Sequence, residues 1–319
     1  MGPWARLLAG PVFFASLMIL GVLVGSTGVG FPSGGVLDLR LARSVAAACV
    51  GGLLGLSGAL IQYSVANPLA DPGLLGLPQG ALALVAAAMI AAGSPLDAGA
   101  RLLLGSLGAL AAYAATIGLS ARLGLTGAGL VVAGIAVGSA ATGLGMALLL
   151  VAENLYGLPG YAVLLGSFAY TSPGDAVLAA AALAAASAAA LPLSRGLDAL
   201  SYGDLEALSM GYSPRLVRAA ATLTAAAAVA ASIQVAGLVG FIGLIAPNAA
   251  RMLYGSHPSR ALPASILLGA SVALAADLAS RLASLLLSVG ELPAGTATSL
   301  AGGVFLAYLL ARRAGGLGW

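Results

Sequence analysis

The chain has 319 residues, 13 basic and 10 acidic, with a net charge of +3, 61% hydrophobic content and a mean hydropathy of +1.06. That composition excludes an ordinary soluble two-domain protein of this length, and so small an excess of charge requires no nucleic-acid partner. All 13 basic residues are arginine, which excludes a P-loop, Schiff-base or kinase-type lysine, while one histidine, His257, and one cysteine, Cys49, cannot build a His/Cys metal site.

Stretches without Asp, Glu, Lys or Arg run 7–37, 44–70, 72–96, 102–121, 123–152, 154–174, 176–194, 219–250, 261–276 and 292–311. About 20 apolar residues span a bilayer as a helix, and no period-2 alternation suggests a barrel. The pattern predicts an all-α polytopic membrane protein with eight to ten crossings. Helices are expected at 7–25, 43–63, 78–93, 99–121, 128–151, 174–193, 216–236, 240–253, 261–284 and 294–311. The first is expected to be retained, because no small-x-small cleavage site precedes a polar mature domain. The eighth is short and flanked by Gly237, Gly240, Gly243 and Pro247. A broken crossing of that kind is tolerated only where protein or a cavity satisfies its backbone.

Ten crossings with an inside amino terminus place nine arginines inside: Arg6, Arg122, Arg195, Arg215, Arg218, Arg251, Arg260, Arg312 and Arg313. Arg40, Arg43, Arg101 and Arg281 fall outside, so the balance follows the positive-inside bias. Both termini are then expected in the cytoplasm. Asp97 and Arg101 are four apart and read as a helix-face pair. Arg40 and Arg43 near Asp38 read either as snorkelling side chains or as a rim for partner carboxylates. Asp277 reads as the one plausible intramembrane carboxylate, with Arg281 beside it.

Six of the 23 charged residues lie between Arg195 and Arg218, an inside segment of both signs. Asp204 and Glu206 suit the start of a short helix, Gly211 suits its end, and Leu205, Leu208 and Met210 are apolar anchors among charges.

Four ordered motifs carry a family resemblance. They are Arg40-Leu-Ala-Arg43 with SGALIQYSVANPLADPGLLGLPQGA (57–81), GDLEALSMGYSPRLVR (203–218), GLVGFIGLIAPNAAR (237–251), and LPASILLGASVALAADLASR with ELPAGTATSLAGG (262–303). Together they resemble the permease family of ATP-binding-cassette importers for ferric siderophores, haem and vitamin B12, over roughly residues 37–311. The chain departs from that family at Ala42, Ala66, Tyr161 and Asn248, where Pro, Arg, Trp and His respectively are common. Asn248 removes any imidazole-based metal or pH role there.

The resemblance implies a type II ABC importer permease, about ten helices in two pseudo-symmetric halves, in the cell membrane. It implies a second copy of the chain, two cytosolic ATPases holding ATP and magnesium, and an extracellular or periplasmic substrate-binding protein. This chain itself is expected to bind no cofactor or metal and to carry no catalytic residue. Segment 195–218 is implied as the ATPase contact, with Gly203, Asp204, Leu205, Glu206, Leu208, Met210 and Gly211 at its centre. Arg40, Arg43 and Arg281 are implied as docking arginines, although Arg281 reads equally as an internal partner of Asp277. Helices five and ten are implied to face the path, offering Gly134, Gly138, Thr142, Gly295, Ser299 and Gly303; Thr126 and Gly127 fall near the inner gate. Small-residue ridges serve equally for packing within one subunit.

The cargo implied is a metal chelate, ferric siderophore or haem ahead of cobalamin, with a molybdate- or tungstate-type oxyanion as the alternative. An ion-coupled secondary transporter would need more ionisable residues along its path. No paired carboxylates, metal ligands or nucleophile–base pair suggest an intramembrane enzyme.

Overall fold

The computed structural model describes residues 3–25, 28–32, 34–125, 128–156 and 164–314. In chain order these form α1 (Pro3–Leu23), a hairpin of β1 (Val24–Gly25) and β2 (Gly28–Val29), α2 (Gly35–Ser64), α3 (Leu77–Ala92), α4 (Ala98–Arg122) and α5 (Ala128–Tyr156). They continue with α6 (Pro173–Leu200), α7 (Asp204–Ser209), α8 (Pro214–Ala236), α9 (Ile242–Tyr254), α10 (Pro258–Leu287) and α11 (Ala294–Ala314). Seven of these, α2, α4, α5, α6, α8, α10 and α11, are long and apolar enough to cross a membrane; α1 and α3 contain shorter apolar helices. The protein is a helical, multi-pass membrane bundle.

Helix starts follow local chemistry. Asp97 caps α4 by accepting from the Ala100 amide at 2.9 Å. Ser172 and Asp175 form a reciprocal capping box on α6, and Pro173, Pro214 and Pro258 occupy first-turn positions where a missing amide costs nothing. The short α9 begins from Phe241 in a left-handed conformation, φ 64°, and tolerates Pro247 inside its 13 residues.

Helix α2 is the axis of the bundle, packed on α10, α8, α6 and α9. Ala46, Val50, Leu53, Leu56 and Leu60 on it are fully buried. Lipid tails are as apolar as leucine, so helices in a bilayer associate through close packing rather than through escape from water. Here that packing is backbone against backbone. A Cβ at Gly51 would strike the Gly269 carbonyl, one at Gly55 the Ser265 carbonyl, and one at Gly269 the Gly51 carbonyl. Gly80 of α3 and Gly108 of α4 stand in the same mutual relation. A side chain at any of these positions must push two helices apart.

Several boundaries differ from the sequence reading. Helix α2 starts at Gly35 rather than 43, so Arg40 and Arg43 project from its first turns. The hairpin replaces the end of the first helix, because Arg40 gathers the carbonyls of Val22, Leu23 and Gly30 at 3.0–3.1 Å. Helix α6 continues through Pro192 to Leu200, which shortens the connection inside the 195–218 segment to residues around α7. Charge at Arg195 and Asp198 does not end a helix that has already reached the polar boundary.

Candidate functional site

The candidate residues gather at the two ends of the bundle. One carries the β1–β2 hairpin, the α3–α4 connection and the α10–α11 connection. The other carries α7 and the α2–α3 and α9–α10 connections.

At the first end, Arg43 meets Asp277 through Nε at 3.1 Å and Nη2 at 2.7 Å, and its Nη1 meets Glu291. Arg281 takes the other oxygen of Asp277 and donates to the carbonyls of Gly21 at 2.7 Å and Val24 at 2.9 Å. Asp277 and Arg281 are each only 1% exposed. Two guanidiniums and two carboxylates therefore balance in charge. Arg281 lies inside the protein, so its assignment as a docking arginine is corrected: it is the internal partner of Asp277. Arg40 differs, because among the described residues only carbonyl oxygens accept from it. Arg40, Arg43 and Arg281 line a concavity of about 190 Å³ with Thr171 and Ala169 in its wall. The surplus positive charge of this recess belongs to Arg40.

At the other end, α7 is a six-residue helix after Gly203, whose φ of 125° only glycine adopts without strain. Asp204 is clasped by Arg218 of α8, at 2.6 and 2.8 Å, and the Arg218 Nε donates to the Ser64 carbonyl at the end of α2. The hydrogen bond from Arg218 holds the Asp204 carboxyl below the ordinary carboxylate range. Ala207 turns inward and is fully buried. Leu205, 78% exposed, Leu208 and Met210 turn outward, Glu206 is exposed beside them, and Gly211 ends the turn at φ 85°. The result is an apolar knob mounted on a rigid base.

Behind that base, the Arg251 guanidinium meets Gln62, donates to Asn248 Oδ1 at 2.7 Å and lies 5.6 Å from the Tyr63 ring. The Asn248 amide in turn donates to the Pro68 carbonyl at 2.9 Å. Thus Asn248 holds the α2–α3 connection against α9, a structural task an amide performs without titrating.

The residues expected along the path divide. Gly134 and Gly138 face inward: a Cβ on Gly134 would strike the Leu74 carbonyl, and one on Gly138 would lie 3.4 Å from the Gly76 Cα. The Thr142 hydroxyl donates to the Gly138 carbonyl at 2.8 Å. Gly295 packs on the Leu165 carbonyl. Ser299 and Gly303 instead lie on an exposed face of α11 with Leu300 and Val304. Thr126 and Gly127, like Tyr161, lie outside the described residues.

One further polar group was not anticipated. Asp71, in the α2–α3 connection, is a second buried carboxylate beside Asp277; its Oδ2 accepts from the amides of Gly73 at 2.8 Å and Leu74 at 3.3 Å. Asp-Pro-Gly in the sequence is the signal, since an aspartate bonding two residues ahead is a common turn device. Arg101 does not pair with Asp97, whose carboxylate is used on the Ala100 amide.

Residues 5–312 match the model of the FecCD transport family. The chain is 34% identical to the Fe(3+) dicitrate transport system permease protein FecC of Escherichia coli, over 88% of this chain and 84% of that one. It is 33% identical to the hemin transport system permease protein HmuU of Yersinia pestis, over 87% and 82%. Its fold superposes with a TM-score of 0.79 on a structure described as a metal-chelate type ABC transporter in an inward-facing conformation, 24% identical and covering 98% of this chain and 100% of that one.

Proposed function

The chain belongs to the FecCD transport family, and from that premise we propose that it is the membrane subunit of an ATP-driven importer for a metal chelate. A ferric chelate or haem is the favoured cargo, since relatives of those names align over most of their length. Two copies enclose the path, two ATPases sit at the α7 end, and a substrate-binding protein docks at the arginine end.

The observation that carries this reading is the α7 knob. A water-facing loop with no partner has no reason to present Leu205, Leu208 and Met210 together. Apolar anchors ringed by charge are what a buried interface core requires. The base of the knob is bolted to α8 by Asp204–Arg218 and to α2 by Arg218–Ser64. A push on α7 is consequently delivered to the central helix and to α8 as a rigid-body displacement, not absorbed by a loose loop. Chemistry at ATP stays on the partner, because this chain has no lysine to hold a phosphate.

At the arginine end, Arg40 offers its uncompensated guanidinium to a carboxylate of the binding protein, with Arg43 beside it. On the α11 face, Ser299 and Gly303 are offered to the path, whereas Gly134 and Gly138 serve packing inside the subunit.

The test is to replace Leu205 and Leu208 together by Glu. The ATPase should no longer copurify with the permease, while the helical content and thermal stability of the permease stay near those of the parent. Full retention of ATPase binding and transport would remove α7 from the coupling role.

A further inference from the structure

A partly open apolar cavity of about 260 Å³ lies among α3, α4, α5 and α8, at the end of the bundle that carries the arginine recess. Its walls are Val85, Ala86 and Met89 of α3, Leu149 of α5, and Ala230 and Ile233 of α8. That volume far exceeds the ~10–15 Å³ that admits one water, and the walls offer water few partners. Two polar side chains interrupt them, Arg101 and Gln234. Among the described residues, the Arg101 Nε and the Gln234 Oε1 are both buried without a hydrogen-bond partner. Among the described residues no protein group accepts from the Arg101 guanidinium, and neither Asp97 nor Glu153, the acidic residues on adjoining elements at this end, forms an ion pair with it.

The polarity is graded along the helix axes. Arg101 sits in the first turn of α4, within about 5 Å of the helix start. Ala81, the deepest α3 residue in the wall, lies about 16 Å from the end of that helix at 1.5 Å per residue. A cation at the polar boundary with an apolar slot running inward matches an amphiphile with an anionic head and a long apolar tail. A guanidinium N–H buried without an acceptor is costly, so an occupant that accepts from Arg101 is favoured.

We infer that this cavity is a phospholipid site, in which one acyl chain fills the slot between α3 and α8 and the lipid phosphate accepts from Arg101. The site lies apart from the arginine recess, the α7 knob and the exposed α11 face, and it holds whether or not the transport reading does. A lipid seated there ties α3 to α4 and α8 at the point where the protein's own polar groups fail to meet.

The experiment uses the full chain in nanodiscs of phosphatidylcholine doped with a phosphatidylglycerol that carries a diazirine near the end of one acyl chain. After photolysis, label should map to Val85, Met89 or Ile233. Arg101→Gln and Val85→Phe should each reduce that label about tenfold, the first by removing a charge-assisted hydrogen bond and the second by filling the slot, whereas Arg101→Lys should retain most of it. Label confined to outward residues such as Leu107 and Leu144 overturns the site in the parent protein alone, with no variant needed. Undiminished label in Arg101→Gln overturns the phosphate contact. Inorganic phosphate that stabilises the detergent-solubilised protein as well as the phospholipid does would assign Arg101 to a free anion and overturn the lipid.

Discussion

Replacing Asp277 by Asn removes one negative charge from the buried network and leaves every atom nearly in place. Asp277 accepts from Arg43 on one side and Arg281 on the other, and both it and Arg281 are almost wholly enclosed. The variant therefore leaves Arg281 facing an amide, with only the Gly21 and Val24 carbonyls to balance it. Removing one partner of a buried ion pair costs about 3–5 kcal/mol, most of it the uncompensated charge left behind. For a chain of this size, at about 2.1 cal/mol/K of unfolding entropy per residue, that corresponds to a thermal midpoint lower by roughly 4–7 °C. The assay is thermal unfolding of the full chain in nanodiscs, read by near-ultraviolet circular dichroism. Arg281→Gln should cost a similar amount, and the pair Asp277→Asn with Arg281→Gln should cost less than the sum by about 1–3 kcal/mol, because the double variant buries one unmatched charge fewer. Single variants that leave the midpoint unchanged, or costs that simply add, would refute the claim that Arg281 is an internal partner of Asp277.

Arg40→Gln should slow association of the binding protein and flatten its dependence on salt, as expected for loss of a rim charge, without lowering the thermal midpoint by more than a few degrees; unchanged association kinetics by surface plasmon resonance would exclude Arg40 from docking. Because Arg218 depresses the Asp204 carboxyl, the clasp on α7 contributes fully above the ordinary carboxylate value of about 3.9 and is lost only as pH falls through the lower, folded value. Hydrogen exchange of the α7 amides should accordingly stay constant from pH 8 to 5 after correction for intrinsic rates, and protection that vanishes near pH 6 would show that Arg218 does not hold Asp204.

The class of fold and the order of its helices were legible because apolar runs and their interrupting charges are long-range, unambiguous signals. The α7 turn was legible for a local reason: an acidic start, outward apolar residues and a glycine end are all properties of adjacent residues. Facing was not legible. Gly134 and Gly138 on α5, and Gly295 and Ser299 on α11, keep a four-residue spacing whether they line a path or admit a neighbouring backbone, and the structure places the Leu74 carbonyl against Gly134 and the Leu165 carbonyl against Gly295. Arg281 was ambiguous for a similar reason. An arginine four residues after an aspartate on a helix can reach a partner protein or its own aspartate, and the choice is made by Arg43, 234 residues away from Asp277 in sequence. Arg101 illustrates the converse: the spacing to Asp97 suggested a pair, but an N-cap carboxylate is already engaged by the helix it starts.

The central claim is that external ATP hydrolysis, delivered through α7, drives a chelate through a pair of these chains. Its most direct test is uptake into proteoliposomes holding the permease, its ATPases and enclosed ATP, with the binding protein and a radiolabelled ferric chelate outside. Accumulation should require both ATP and the binding protein and should persist when ionophores collapse every ion gradient. Uptake that proceeds without ATP and ceases when the proton or sodium gradient is dissipated would contradict it.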